Sequence, residues 1–386
     1  MLFRTCIRSK GFKMSDHIFL SSPHMSAEGY ELEYIRDAFE KNWIAPLGEN
    51  VTEFEKAVKS YTGASNAVAL SAGTAALHLS MILAGIGAGD KVFCQDLTFS
   101  ASANPIAYVG AEPVFIDSER DTWNMDPKAL CKAIDLYGAP KAVILVHLYG
   151  SPAKLNEITE ICRKHNIILI EDAAEALGST YCEKACGTFG KYGILSFNGN
   201  KIITTSGGGM LLCEDEADAR HALKLATQAR EPVPYYQHEE IGYNYRMSNI
   251  CAGIGRGQMR VLNERVAKKR YIFERYKEKL SALPIGFQPE LANAVSNRWL
   301  TSVLISKHSA VTPQDIISAL ANNDAEARHL WNPMHRQPVF NSAKFVSAED
   351  DAVSTDLFMR GVCLPSDTKM SDEDIDRVCE TIKSLF

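Results

Sequence analysis

The chain has 386 residues, 46% of them hydrophobic and 23% charged, with a formal net charge of −6. That length and balance predict a globular protein of two domains with well-developed cores. The acidic balance argues against a general nucleic-acid binder, whose footprint is basic, and no apolar run approaches the roughly 18 residues a membrane span needs.

In chain order, residues 1–13 (MLFRTCIRSKGFK) are basic and free of acids, a composition shared with transit peptides. The stretch is short and MSDHIF from Met14 reads like a start, so 1–20 is expected to be an extension with little structure. From 66 to 213, short apolar strands alternate with amphipathic helices, which predicts a mainly parallel sheet covered on both faces. Strands are expected at 67–71 (AVALS), 91–95 (KVFCQ), 113–117 (PVFID) and 142–147 (AVILVH), then at 167–172 (IILIED), 193–197 (GILSF) and 209–213 (GMLLC). Helices are expected between them, among others at 74–84 and 155–165. After Asn249 a long helical pattern leads out of a large domain, 21–255, into a connecting helix and small domain, 256–386. Its basic residues fall on several faces, which reads as a solvated helix and not an RNA patch. Its GIGRG neither matches G-x-G-x-x-G nor follows a strand, so a dinucleotide-binding dehydrogenase is not supported.

The ten cysteines are scattered, and several sit inside apolar patterns. Reduced thiols in a cytoplasmic protein are the expectation. Cys182 and Cys186 form the one close pair, without a second pair or a histidine at zinc spacing, so no metal site is expected.

In open α/β sheets ligands collect beyond the carboxyl ends of strands. Three polar features of the chain are expected there. The first is SAGTAALHLSM (71–81), where a strand runs straight into a helix. Gly73 permits close backbone approach, Thr74 can cap, and free N–H groups at the helix start face an anion. Alone, this is what any capped helix start looks like. The second is IILIEDAAEALGS (167–179), where Glu171 and Asp172 end a buried strand and one carboxylate projects over the sheet edge. A helix N-cap is the plain alternative, whereas an anion placed there to hold a ring nitrogen protonated is the functional one. The third is SFNGNKIITTSGGGM (196–210), in which Lys201 lies between an Asn-Gly turn and three glycines. A surface lysine in a hairpin is the ordinary reading, but a shielded lysine with a lowered pKa can bond an aldehyde. Together a phosphate cradle, a strand-end aspartate and a shielded lysine are what pyridoxal phosphate needs.

On these and further motifs the chain resembles the DegT/DnrJ/EryC1/StrS family of sugar-nucleotide aminotransferases. The motifs include NWIAPLGENVTEFEKAV, DLTFSASANPIAYVGAEPVFID, GYNYRMSNI and LWNPMHRQPVF. The resemblance implies an aspartate-aminotransferase-like α/β fold (fold type I), with a mixed, mostly parallel sheet in the large domain and a smaller α+β C-terminal domain. It implies Lys201 as the lysine bonded to pyridoxal 5′-phosphate (PLP) and Asp172 as the pyridine partner. Gly73, Thr74 and Ser196 are implied phosphate contacts, with Phe99 near the ring as wall or as core. Asn244 is implied to reach the phosphate of a neighbouring subunit, making a homodimer with a shared site. Glu175 stands where many relatives carry Gln or His, and an acid there is expected to be protonated or hydrogen-bonded. A dehydratase branch carries His in place of the bonded lysine, and Lys201 argues against it.

The likeness is strongest to the enzymes that aminate C-4 of UDP-4-keto-6-deoxy-N-acetylglucosamine in bacillosamine synthesis for protein glycosylation, with L-glutamate as amino donor. The alternatives are an aminotransferase for a GDP- or dTDP-linked keto sugar and a PLP-binding regulator without turnover, against which Lys201 and Asp172 both weigh. Arg246, Arg298, Arg328 and His335 are candidates for the nucleotide diphosphate or the donor carboxylate. For each a structural ion pair is the competing reading, favoured for all but His335.

Overall fold

The runs of β-branched and apolar residues between 66 and 213 form the core of one eight-stranded sheet. Its strands are β1 (Asn66–Leu70), β2 (Lys91–Gln95), β3 (Glu112–Ile116), β4 (Ala142–Val146), β5 (Ile168–Asp172), β6 (Tyr192–Ser196), β7 (Gly209–Cys213) and β8 (Lys344–Val346). The computed structural model describes residues 17–386, so most of the extension expected at 1–20 lies outside the described residues. The spatial order is β1-β7-β6-β5-β4-β2-β3-β8. All strands run parallel except β7, which lies antiparallel between β1 and β6. β4 is buried at every position, as a parallel strand covered on both faces must be.

The expected strands fall within one residue of those observed, and β8 is the addition. Phe345 pairs with Phe115 at the edge of the large sheet, although its segment was expected within the small domain. Three residues are too few to display a period.

Four helices matter for the site: α1 (Tyr30–Glu40), α2 (Glu49–Thr62), α3 (Gly73–Leu83) and α4 (Asn249–Lys279). Leu262 near the centre of α4 packs with Phe54, Val58 and Phe197 in one core. Ile272 and Tyr276 further along α4 pack with Val303, Ile316, Val362 and Ile375 in another. The second core belongs to a four-stranded antiparallel sheet built from Ile285–Phe287, Thr301–Ile305, Gly361–Leu364 and Arg328–His329. Helices Pro313–Asn322 and Asp372–Lys383 accompany it, each started by a capping box. No helix among the described residues is long and apolar enough to cross a membrane.

Candidate active site

Beyond the carboxyl ends of β1, β2, β4, β5 and β6 lies a cavity of about 370 Å³. Chain pattern alone brings these ends together, because parallel strands point the same way and each hands over to a loop at the same edge.

β5 delivers Asp172. Its last two residues point to opposite faces, as strand alternation requires. Glu171 turns into the protein, fully buried, and accepts from the amides of Gly187 (2.9 Å), Phe189 (2.5 Å) and Gly190 (2.6 Å), with His147 Nε2 at 3.0 Å. Asp172 turns into the cavity wall. The Ser102 hydroxyl donates to its Oδ2 at 2.6 Å and the Ala174 amide to its Oδ1 at 3.1 Å. Ser102 in turn meets Thr98 at 2.7 Å. The carboxylate is thus oriented while keeping acceptor capacity toward the cavity.

The β1–α3 junction supplies the second wall. Thr74 does not cap: α3 already begins at Gly73, with Ala72 in extended conformation at the cap position and no side chain bonded to the helix start. The first amides of α3 therefore have no capping side chain, and the positive end of the helix dipole borders the cavity. A Cβ on Gly73 would stand 3.2 Å from the Cβ of Ser196, the last residue of β6, so these two expected phosphate contacts are neighbours.

Lys201 sits in the connection 197–208 between the antiparallel strands β6 and β7, where Ser196 pairs with Gly209. Ile202 and Ile203 do not extend a strand; they are buried in the core beside α4 and anchor the loop. The three glycines have separate reasons. A Cβ on Gly209 would lie 2.3 Å from the carbonyl carbon of Ala72, so this glycine lets β7 pass under the helix start. A Cβ on Gly208 would collide with Thr205 and Met247, whereas one on Gly207, a cavity-wall residue, would meet nothing within 4 Å. The Lys201 amine lies 4.1 Å from the ring centroid of Trp299 and 3.6 Å from Glu175 Oε1. Burial pushes the Glu175 carboxyl above its ordinary range, opposed by the Lys201 charge and by the Tyr149 amide, which donates to it at 2.6 Å. Glu175 is thus both hydrogen-bonded and biased toward its protonated form. Tyr149, at φ 55°, holds the left-handed geometry that presents this amide.

Phe99 is half exposed, forms part of the cavity wall and tilts against Trp331 at 5.1 Å between ring centroids. It is a wall residue, not a core one. Thr98 and Ser102 lie in the DLTFSAS motif, Trp331 in LWNPM and Trp299 in SNRWL, but neither they nor Tyr149 carry a residue-level signal of a place in the site. Their positions follow from loops that are distant along the chain and meet only in the folded protein.

The remaining candidates lie outside the cavity walls. Arg246 is paired with Glu55 at 2.6 Å and with the carbonyl of Ala69 at 2.8 Å. Arg298 is buried against Phe273 and bonded to Glu290 at 3.3 Å, and burial lowers its pKa. Arg328 is exposed on the small sheet. His335 Nδ1 meets the buried Asp96 at 2.7 Å and its ring stacks on Phe345. For Arg246 and Arg298 the structural ion pair is what the fold contains, and His335 too is engaged, through its contact with Asp96. Asn244 is exposed and also outside this cavity, bridged to Thr227.

An anion-binding helix start, an oriented carboxylate and a shielded primary amine around one cavity fit a phosphorylated, aldehyde-bearing pyridine. Residues 26–383 match the model of the DegT/DnrJ/EryC1/StrS aminotransferase family. The chain belongs to that family. It is 52% identical over 379 residues, 97% of each chain, to EpsN of Bacillus subtilis (strain 168), named by inference as a pyridoxal phosphate-dependent aminotransferase. It is 36% identical over 379 residues to GDP-perosamine synthase of Caulobacter vibrioides, covering 97% of this chain and 100% of the relative. The crystal structure of the aminotransferase TlmJ from Streptoalloteichus hindustanus superimposes with a TM-score of 0.86 at 29% identity, over 95% of this chain and 98% of the other. The protein is an aminotransferase of fold type I and its cofactor is PLP.

Proposed function

We propose that this aminotransferase moves an amino group from L-glutamate to C-4 of a nucleotide-linked keto sugar. The observation that carries the reading is the placement of Asp172 and Lys201 on the walls of one cavity that the start of α3 also borders. When bound, PLP supplies an electron sink and a carrier for the amino group between donor and acceptor.

The chain's residues do the rest. Gly73 and Thr74 amides with the Ser196 hydroxyl hold the phosphate. Asp172, fixed by Ser102, keeps the ring nitrogen protonated, because a carboxylate so placed favours the positive form of its neighbour. Lys201 is the residue that would hold the aldehyde, and its free amine would be placed to move a proton at the reacting carbon. Trp299 and Phe99 wall the site, and Glu175 offers an acid beside the lysine.

Two nucleotide readings have support. A GDP-linked sugar is favoured by the relative named GDP-perosamine synthase, which aligns over its whole length. UDP-4-keto-6-deoxy-N-acetylglucosamine, the substrate of the bacillosamine route, is supported by the likeness in NWIAPLG, EDAAEALGS, NGNKIITTSGGGM and SNRWL. The comparisons favour the first. A panel of GDP-, UDP- and dTDP-linked keto sugars with glutamate, read by mass spectrometry for a gained amine, decides between them. Absence of an aminated product from every sugar would overturn the assignment.

A further inference from the structure

Lys269 is 2% exposed on α4, an expensive place for an ammonium without a counter-charge in contact. Its amine donates to the hydroxyl of Ser21 at 2.9 Å. The same hydroxyl donates to the carbonyl of Asn200, also at 2.9 Å. Asn200 immediately precedes Lys201, and its carbonyl also accepts the indole N–H of Trp299 at 2.7 Å, the ring over which the Lys201 amine lies. Lys269 and Lys201 border one narrow void of about 10 Å³. A buried amine is therefore two hydrogen bonds away from the backbone that aims the cofactor lysine.

We propose that Lys269 is a positioning residue for Lys201, holding the 200–201 turn through Ser21 in a manner set by its own protonation. A charged ammonium only donates. Ser21 must then accept from it and spend its own hydrogen on Asn200. A neutral amine has a lone pair, so the Ser21 hydroxyl can turn its hydrogen to Lys269. Asn200 is then left to Trp299 alone, and the turn relaxes.

The neighbouring charges are few. Asp367, from the segment after the last small-sheet strand, favours the charged form, but its carboxylate is engaged by the Ser22 amide at 2.7 Å and faces Lys369 at 4.0 Å. His24, on the same segment as Ser21, has its pKa lowered by its own burial. Arg265 of α4 donates to the carbonyl of Met25 at 3.1 Å, and Glu31 of α1 is occupied by Ser26 and Gln258. Lys201 stands across the void. Burial dominates and lowers the Lys269 amine to about 7, so the exchange falls near neutral pH.

This inference rests on Lys201 being the residue bonded to PLP. The test uses PLP-loaded protein and reads the cofactor's visible absorbance across pH. The wild type is expected to show an inflection near 7 that Lys269→Met and Ser21→Ala both lose. Lys269→Arg, charged throughout, is expected to keep the low-pH spectrum of the wild type at every pH, which a merely structural role would not produce. Retention of the wild-type profile in Lys269→Met, or identical spectra for Lys269→Met and Lys269→Arg, would overturn the proposal. Borohydride reduction with peptide mapping accompanies each sample. An adduct at Lys201 with unchanged profiles refutes the role of Lys269 alone, while an adduct elsewhere refutes the Lys201 assignment and this inference with it.

Discussion

Glu171 and Asp172 are adjacent carboxylates with opposite fates, decided by strand alternation. The first is hydrogen-bonded by three amides with His147 beside it, the second is held by Ser102 and left facing the cavity. Asp172→Asn keeps the size and the Ser102 contact but removes the charge. It is expected to retain PLP and to lose activity by roughly 10²- to 10⁴-fold, the range for removing one group's charge or proton control from a reacting centre. Steady-state rates together with cofactor stoichiometry check this, and near-normal turnover would contradict the role. Lys269 gives a second prediction at the same scale, now for stability. Its native pKa of about 7 lies below the ordinary 10.5. Below 7 both native and unfolded states carry the proton and the full burial penalty applies. Between 7 and 10.5 only the unfolded state holds it, so the penalty fades as pH rises. Lys269→Met is therefore expected to be more stable than wild type by up to about 5 kcal/mol at low pH. Thermal unfolding at several pH values should show that advantage shrinking toward 10.5, and a constant offset would mean that the buried charge is not its source.

The hairpin β6–β7 shows how one element carries the site. Its strands are apolar enough to be read as strands, and their antiparallel pairing sets Ser196 opposite Gly209. The three glycines looked alike as sequence, an allowance for something bulky near Lys201, yet the fold uses them differently. Gly209 is required by backbone at Ala72 and Gly73, Gly208 by Thr205 and Met247, and Gly207 by nothing that a Cβ would touch. Gly209→Ala is expected to cost several kcal/mol and to weaken PLP binding by displacing the start of α3, while Gly207→Ala stays within about 0.5 kcal/mol. Melting temperatures and cofactor titrations of the two variants separate these cases. The sheet was legible because each strand repeats one apolar pattern over five residues, and Asp172 and Lys201 because each sits at the end of such a strand or just beyond it. Ser102 and Tyr149 carry no such mark. Trp299 and Trp331 are ordinary aromatic residues until the small domain brings them over the large sheet, and β8 is too short to announce itself.

At the scale of the whole molecule, α4 joins two cores, and the cavity lies where their loops meet, with Trp299 and Trp331 as the contribution from the C-terminal part. One expected contact is missing from this arrangement within a single chain: Asn244 stands exposed, outside the cavity. It lies in a region that also exposes Tyr235, Tyr236 and Ile241, the last two by 80% and 83%. Apolar exposure on that scale is what an interface covers. In the homodimer that the family resemblance implies, Asn244 would reach the phosphate in its partner's site, which would make each site a product of two chains. Mixed dimers test this directly. Lys201→Ala and Asn244→Ala homodimers should each be inactive or nearly so at limiting PLP. A hybrid of the two contains one site with both defects and one with neither, because Lys201 of the second chain then faces Asn244 of the first. Unfolding and refolding an equal mixture should restore activity to roughly a quarter of the wild-type level, since about half the dimers are hybrids with one intact site each. If Asn244 acted within its own chain, every site in the mixture would carry one defect and the recovered rate would not exceed that of the parents.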